Sequence, residues 1–320
     1  MLTGRATETK NPPTREEGVS KVSIQSLLSQ KEALRLFGLV ARGANDAGVT
    51  LDSCQWSSGD SARLKELVSS NLVQTKGSNY TLTALGKEYF RKQIELLRFT
   101  LVENTGKHLL QLSDEQKNPS RSPDVLAQTT TRCLLEDLQS ATGLKELKPV
   151  KVFSDWLNLS MQTAMLLENM REEIYVATKY MDFRTAEIAL NAAKLGRRIN
   201  ILHCTRDCQS TKLQLLGNLM SNPRAAKIYS EFSRHTNISA REGAIPYSYV
   251  IFDRTHVEIE IVNPRDPDSF FLAYLFENPL LAEKLIWLYN DSFVSSQEDK
   301  LRNNLEEAAK TKTPRDILTV

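Results

Sequence analysis

Three soft ligands fall within the hexapeptide HCTRDC: His203, Cys204 and Cys208. A tetrahedral zinc site would need a fourth donor, normally from a second closely spaced Cys/His pair, and the spacing fits no common knuckle. The other cysteines, Cys54 and Cys133, are far away in sequence. The pattern therefore predicts buried thiols and a strand-end histidine, with no metal and no cofactor. A second set of residues has the chemistry of phosphate and base contact: Ser57, Ser58, Ser61, Arg63 and Lys65, followed by Lys76 and Asn79. Hydroxyls and amines bond phosphate oxygens without reading sequence, whereas the guanidinium of Arg63 can bond a guanine edge bidentately.

The elements that must position these groups are legible in the spacing. Ser29–Glu32 has the form of a capping box, and Leu34, Phe37, Leu39 and Val40 follow at helical spacing up to Gly43. LDSCQW reads as a short helix, and SSGD opens another that runs to about Ser69, with Leu64, Leu67 and Val68 inward. NLVQTK and YTLT flank GSN, a hairpin signal. A long helix is expected over Ala84–Leu112, interrupted at Gly106, and another over Asp124–Thr142. After Pro149 the period changes. EEIYVATKY, RRINILHC, TNISAR, YSYVIFD and HVEIEIVN read as strands; DFRTAEIALNAAKLG, STKLQLLGNLM, PRAAKIYSEFSR, FFLAYLFE and NPLLAEKLIWLYNDSF read as helices. Such alternation predicts a mixed α/β fold with a sheet between helices.

The 320 residues suggest about two domains. With 41% hydrophobic and 25% charged residues a core is easily built, and a net charge of +2 neither demands nor excludes nucleic acid. No apolar run approaches a membrane span and no leader follows the first Met, so a cytoplasmic protein with few thiols and no disulfide framework is expected.

Helix, short helix, helix, hairpin over about Val22–Lys92 resembles the winged helix-turn-helix domain of prokaryotic transcription regulators, most clearly in LKELVSSNLV and YTLTALGKEYF. The resemblance implies a recognition helix in the major groove and a wing on the neighbouring backbone, hence double-stranded DNA as partner. The half from Val150 to Ser296 resembles the phospholipase D-like fold, which follows a winged helix in archaeal regulators of the sugar-sensing TrmB kind. EEIYVATKYMDFRTAEIALNAAKLGRRINILHC looks like its first strand, helix and second strand, and PYSYVIFDRTHVEIEIVNP like the strand pair that carries the catalytic motif.

Active members of that family carry His-x-Lys, then Asp after four residues. Here Pro246 and Ser248 occupy the first two positions and only Asp253 remains. His203, His235 and His256 are followed at the lysine spacing by Thr205, Asn237 and Glu258. No catalytic residue is assigned, and the domain is expected to sense or to dimerise instead. Strand ends in open α/β sheets bind ligands; Lys179, His203, Arg206 and Tyr247 are the residues that would receive a small anionic effector.

The expected organisation is a disordered arm at 1–21, a winged helix at 22–92, a helical linker and dimerisation region at 93–149, a phospholipase D-like sensor at 150–296 and a flexible tail at 297–320. The corresponding function is a homodimeric, DNA-binding transcription regulator with no membrane partner. A phospholipase D-like enzyme with a rebuilt site, and a winged-helix adaptor that docks protein, are the competing readings.

Overall fold

The computed structural model describes residues 23–42, 49–50, 59–99, 123–178, 183–204, 224–243, 248–262 and 270–298. The architecture is mixed α/β. The N-terminal part contains α1 (Ile24–Leu28), α2 (Lys31–Arg42), β1 (Val49–Thr50), α3 (Asp60–Ser69), β2 (Val73–Lys76), β3 (Asn79–Leu82) and α4 (Ala84–Phe99). Ser23 caps α1 by accepting from the Ser26 N–H at 3.3 Å. Ser29 is not the cap of α2: it closes α1, its hydroxyl donating to the Ser26 carbonyl at 2.7 Å. The capping-box spelling had two helix ends to choose between, and the short helix in front takes the hydroxyl.

Helix α3 buries Leu64 and Leu67 and half-buries Val68, then stops where Asn71 turns left-handed (φ 59°) and the Leu72 N–H reaches back to the Leu67 carbonyl at 3.1 Å. The chain then forms the β2–β3 hairpin, with Lys76 opposite Asn79 and β1 on the other side of β3. Gly77, at φ +64°, supplies the left-handed backbone that a two-residue turn needs. Thr83 starts α4, its hydroxyl accepting from the Gly86 N–H at 3.0 Å. The expected long helix is described as far as Phe99; LDSCQW, STKLQLLGNLM and the stretch from 100 to Leu112 lie outside the described residues.

After α5 (Pro123–Thr142) come β4 (Lys151–Phe153), α6 (Trp156–Asn169), β5 (Glu173–Thr178), α7 (Phe183–Lys194), β6 (Arg198–Cys204), α8 (Ala225–Arg234), β7 (Ile238–Gly243), β8 (Ser248–Phe252), β9 (His256–Val262), β10 (Phe270–Glu277), α9 (Pro279–Val294) and β11 (Gln297–Glu298). The eight-stranded sheet has the order β11-β7-β6-β5-β8-β9-β10-β4. β5, β6 and β7 are parallel, joined through helices; β8, β9 and β10 form an antiparallel meander. FFLAYLFE is therefore a strand, β10, and not a helix. A short apolar run has no period that separates the two, and this one is aromatic-rich and covered on both faces, as a central strand is. β4 and α6 are elements that the spacing did not announce, although Asp155 caps α6 plainly, accepting from the Asn158 N–H at 2.8 Å. The segment expected as a loose tail begins with two residues paired to β7.

The two sheet faces have separate cores. Ile174, Ile199, Ile201 and Phe252 face α7 and α8. Tyr175, Leu202, Ile251, Val257 and Ile259 face α9, and this second core continues without a break into α2, α3, α4 and α5. Phe37 and Phe90 both pack on Trp287 of α9, at centroid distances of 5.6 and 5.1 Å. Arg98 pairs with Asp291, and Lys284 donates to Gln93 at 3.3 Å. Burial pushes the Lys284 amine down to about 8. In α5, Leu134, Leu138 and Ala141 are buried, and Thr131 shares a hydrogen bond with Tyr274 at 2.9 Å. Ile94 and Leu97 of α4 are likewise buried within the chain, while Leu85, Leu96 and Phe99 of α4 stay exposed.

Candidate nucleic-acid interface and a buried polar row

The face of α3 opposite Leu64 and Leu67 carries Ser61, Ala62, Lys65 and Ser69, all exposed. Ser61, Lys65 and Ser69 recur every four residues, so they form one stripe. Lys76, Gly77 and Ser78 are exposed at the hairpin end, and the half-buried Asn79 accepts from the Ser78 hydroxyl at 3.3 Å. Ser57 and Ser58 lie outside the described residues. Arg63 is held along its own helix by Glu66 at 2.7 Å. Asp60 is turned inward: its carboxylate accepts from Arg35 of α2 at 2.7 Å, so its charge is matched inside the protein rather than offered to solvent.

The second assembly lies across the sheet, on the face toward α6, α7 and α8. Register places Glu242 of β7 beside His203, His203 beside Thr178, and Ser248 beside Glu260. One step past the Ala177–Tyr249 pair, Thr178 neighbours Ser248. Polar side chains therefore run in one row over five adjoining strands, and all except Thr178 are buried. Glu258 stands two residues from Glu260 on the same face of β9. Beside it a cavity of about 110 Å³ opens between α6, α7 and the sheet, lined mostly by Leu159, Ile174, Val176, Ile201 and similar side chains but also by Thr163, Ser248, Glu258 and Glu260. The Thr163 hydroxyl donates to Glu258 Oε2 at 2.8 Å, and desolvation raises the Glu258 carboxyl to about 7. Sequence reasoning missed this glutamate pair. Its signal was there in HVEIEIV, where two carboxylates alternate with aliphatic residues in a strand buried on both faces.

Of the four residues expected to receive an anion, Lys179, Arg206 and Tyr247 lie outside the described residues; His203 is buried in the polar row and does not line the cavity. Among the described residues no group of three or more His, Cys, Asp or Glu is placed to hold a metal ion.

Ser248, at the lysine position of the resembled motif, is buried at the start of β8; Pro246 lies outside the described residues. Asp253 turns left-handed (φ 46°) between β8 and β9, and its carboxylate accepts from the backbone N–H groups of Arg171, Glu172 and Glu173 at 2.7, 2.9 and 3.2 Å. Next to it Arg254 (φ 55°) carries its guanidinium inward, to Glu173 at 2.6 Å, to both oxygens of Glu283 at 2.9 and 3.0 Å, and to the Tyr175 hydroxyl at 3.2 Å. Arg198 adds a contact to Glu173 at 3.1 Å. This cluster ties the hairpin to β5 and to α9.

No protein-family model matches the chain, and no curated protein matches it in sequence. Among solved structures it is similar to TrmBL2, an archaeal chromatin protein whose structure shows a novel mode of DNA binding, at 12% identity over 85% of this chain and 97% of that one, TM-score 0.36. It is also similar to Nuc, a phospholipase D family member from Salmonella typhimurium, at 15% identity over 48% of this chain and 99% of that one, TM-score 0.35. NucT from Helicobacter pylori aligns at 11% identity over 48% of this chain and all of that one, TM-score 0.36.

Proposed function

We propose that this chain is a DNA-binding transcription regulator, in which α3 lies in the major groove, the β2–β3 tip touches the flanking backbone, and the large-sheet half performs no phosphodiester chemistry. The observation that carries this reading is the division of α3: Leu64 and Leu67 are spent in the core, while Ser61, Lys65 and Ser69 stand free of it beside an exposed Lys76. The order α1, α2, β1, α3, β2, β3, with a three-stranded sheet β1-β3-β2, supports assigning a winged helix. Arg63 keeps its role as base reader. An exposed pair three residues apart on a helix is worth only about 0.2–0.5 kcal/mol, less than the roughly 1–3 kcal/mol of discrimination from a bidentate guanine contact.

The non-catalytic reading is supported by Ser248, which is buried, and by Asp253, whose carboxylate is occupied with three backbone donors. A homodimer is part of the proposal. On α6, Leu157, Met161 and Met165 are 61%, 61% and 56% exposed at four-residue spacing, an apolar stripe on the surface. A second copy that covers this stripe would present two α3 helices to one DNA site. Among the described residues no helix is long and apolar enough to cross a membrane.

The test is fluorescence anisotropy on the gene's own promoter duplex over a salt series. Binding should weaken steeply as salt rises, because neutralised phosphates release counterions. Indifference to every duplex tried would remove the proposal. Phosphodiesterase turnover on generic substrates that disappears in Asp253→Ala would restore the enzyme reading.

A further inference from the structure

Asp60, Leu64 and Leu67 lie on one side of α3, so a carboxylate ends the apolar face of that helix. Asp60 is 1% exposed and accepts from Nη2 of Arg35 at 2.7 Å. A buried charge requires such a partner, whereas an aliphatic side chain would have closed the core without one. What an apolar contact cannot do is fix a rotation, because it is non-directional. A charge-assisted hydrogen bond holds one atom to one atom.

Arg35 also faces a second buried carboxylate. Gly38 of α2 lies against Trp287 of α9. Arg35 stands one turn before Gly38, and Glu283 one turn before Trp287. Desolvation pushes the Glu283 carboxyl up, and the charges of Arg254 and, after it, of Arg35 oppose that shift. Arg254 in turn holds Glu173 of β5. Charges of alternating sign, Asp60, Arg35, Glu283, Arg254 and Glu173, thus lead from α3 through α2 and α9 to the middle of the large sheet.

We infer that Arg35 is a positioning residue for DNA reading: through Asp60 it fixes the rotation of α3 about its own axis, and through Glu283 it ties that rotation to the large-sheet half. The role rests on the DNA-binding reading proposed above. Neighbouring helical residues are about 100° apart, so a modest rotation takes Arg63 off a base edge. Lys65 and Lys76 still find phosphate, which runs the length of the duplex. Loss of Arg35 should therefore cost sequence preference rather than affinity for DNA at large.

The experiment uses the full chain in two measurements: anisotropy on the promoter duplex and a scrambled one over a salt series, and hydrogen exchange by mass spectrometry without DNA. Arg35→Gln, checked for folding by circular dichroism, should bind the promoter duplex about ten-fold more weakly, with the scrambled duplex and the salt slope unchanged. Adding Asp60→Asn, which removes the stranded carboxylate and offers an amide, should recover part of the loss. Should Arg35→Gln not fold, Arg35→Lys, a point charge in place of a fork, should show the same split in smaller measure. Equal loss on both duplexes with a lower salt slope would make Arg35 a phosphate contact and overturn the assignment. An unchanged preference, or no recovery in the double variant, would do the same.

Without DNA, Arg35→Gln should speed exchange of the α3 amides from Leu64 to Ser69 about ten-fold more than exchange in α7 and α8. Asp60→Asn and Glu283→Gln, whose groups share Arg35, should together change α3 exchange by a factor about three-fold or more away from the product of their single effects. Unchanged α3 exchange or independent effects would also overturn the assignment. If the unsubstituted protein binds no duplex, the DNA-binding reading falls, and the exchange measurement still decides whether Arg35 fixes α3.

Discussion

Gly38 faces the indole of Trp287 with no room between them: a Cβ at that glycine would lie 2.2 Å from Nε1 and 2.9 Å from Cδ1. Helix α2 thus rests directly on α9, and the helices that carry α3 share a core with the large sheet. Gly38→Ala must push the ring aside. Helix propensity favours alanine by up to about 1 kcal/mol, but overpacking costs about 1–3 kcal/mol, so a net loss of stability is expected. Urea unfolding measures it; a midpoint at or above that of the unsubstituted protein would show the contact to be slack.

Lys65 and Lys76 are expected to act on phosphate. Replacing either by Ala should lower the slope of log affinity against log salt by about one and weaken all duplexes alike. Arg63→Ala should instead cost about 1–3 kcal/mol on the preferred sequence and flatten preference among sequences. A competition assay against scrambled duplex separates the two behaviours.

The buried Arg254 holds Glu173 and Glu283 together. Arg254→Met leaves the buried Glu283 without its guanidinium and Glu173 with only its contact to Arg198, and should destabilise the protein by about 3–5 kcal/mol. Glu283 is already shifted upward by desolvation, with Arg254 opposing that shift. Loss of the guanidinium should therefore make the variant comparatively less unstable in acid, where carboxyls are protonated. Denaturation at two pH values reads this directly.

The Glu258 carboxyl, near 7 in the folded protein against an ordinary 4.5, takes up its proton more readily folded than unfolded. Its contribution is thus fully present below about pH 4.5 and is lost as pH rises through about 7, a decline of about 3 kcal/mol at roughly 1.4 kcal/mol per pH unit. Glu258→Gln should abolish this part of the pH–stability profile and be relatively more stable at pH 8. An unchanged profile in the variant would place the titrating group elsewhere.

Asp253 accepts three backbone donors at the start of β5. Asp253→Ala should cost about 2 kcal/mol, from partly exposed bonds worth roughly 0.5–1.5 kcal/mol each, while Asp253→Asn, which keeps one acceptor oxygen, should cost less. Thermal denaturation of the pair would contradict this role if Ala and Asn behaved identically.

The local elements were legible where the chain's own neighbours decide them. The β2–β3 hairpin was set by a glycine-led turn between two apolar steps, α3 by Leu64 and Leu67 at helical spacing, and α9 by Asn278 and Pro279 at its start, the asparagine accepting from the Leu280 and Leu281 N–H groups. β5, β6, β7, β8 and β9 were carried by β-branched and aromatic runs. These are properties of a few consecutive residues, and spacing records them. Phe270–Glu277 was not legible, because an apolar run flanked by two neighbours has no period, and only pairing to β9 and β4 makes it a strand. Nor could spacing foresee that Gly38 would serve an indole almost 250 residues away, or that Glu242, His203, Thr178, Ser248 and Glu260, from five separate strands, would align in one row. Such relations depend on strand order and register, which long-range packing chooses. The sequence by itself determined which faces are apolar and where the chain turns; tertiary structure decided which polar groups meet away from water, where low dielectric turns an ordinary glutamate into a poised one.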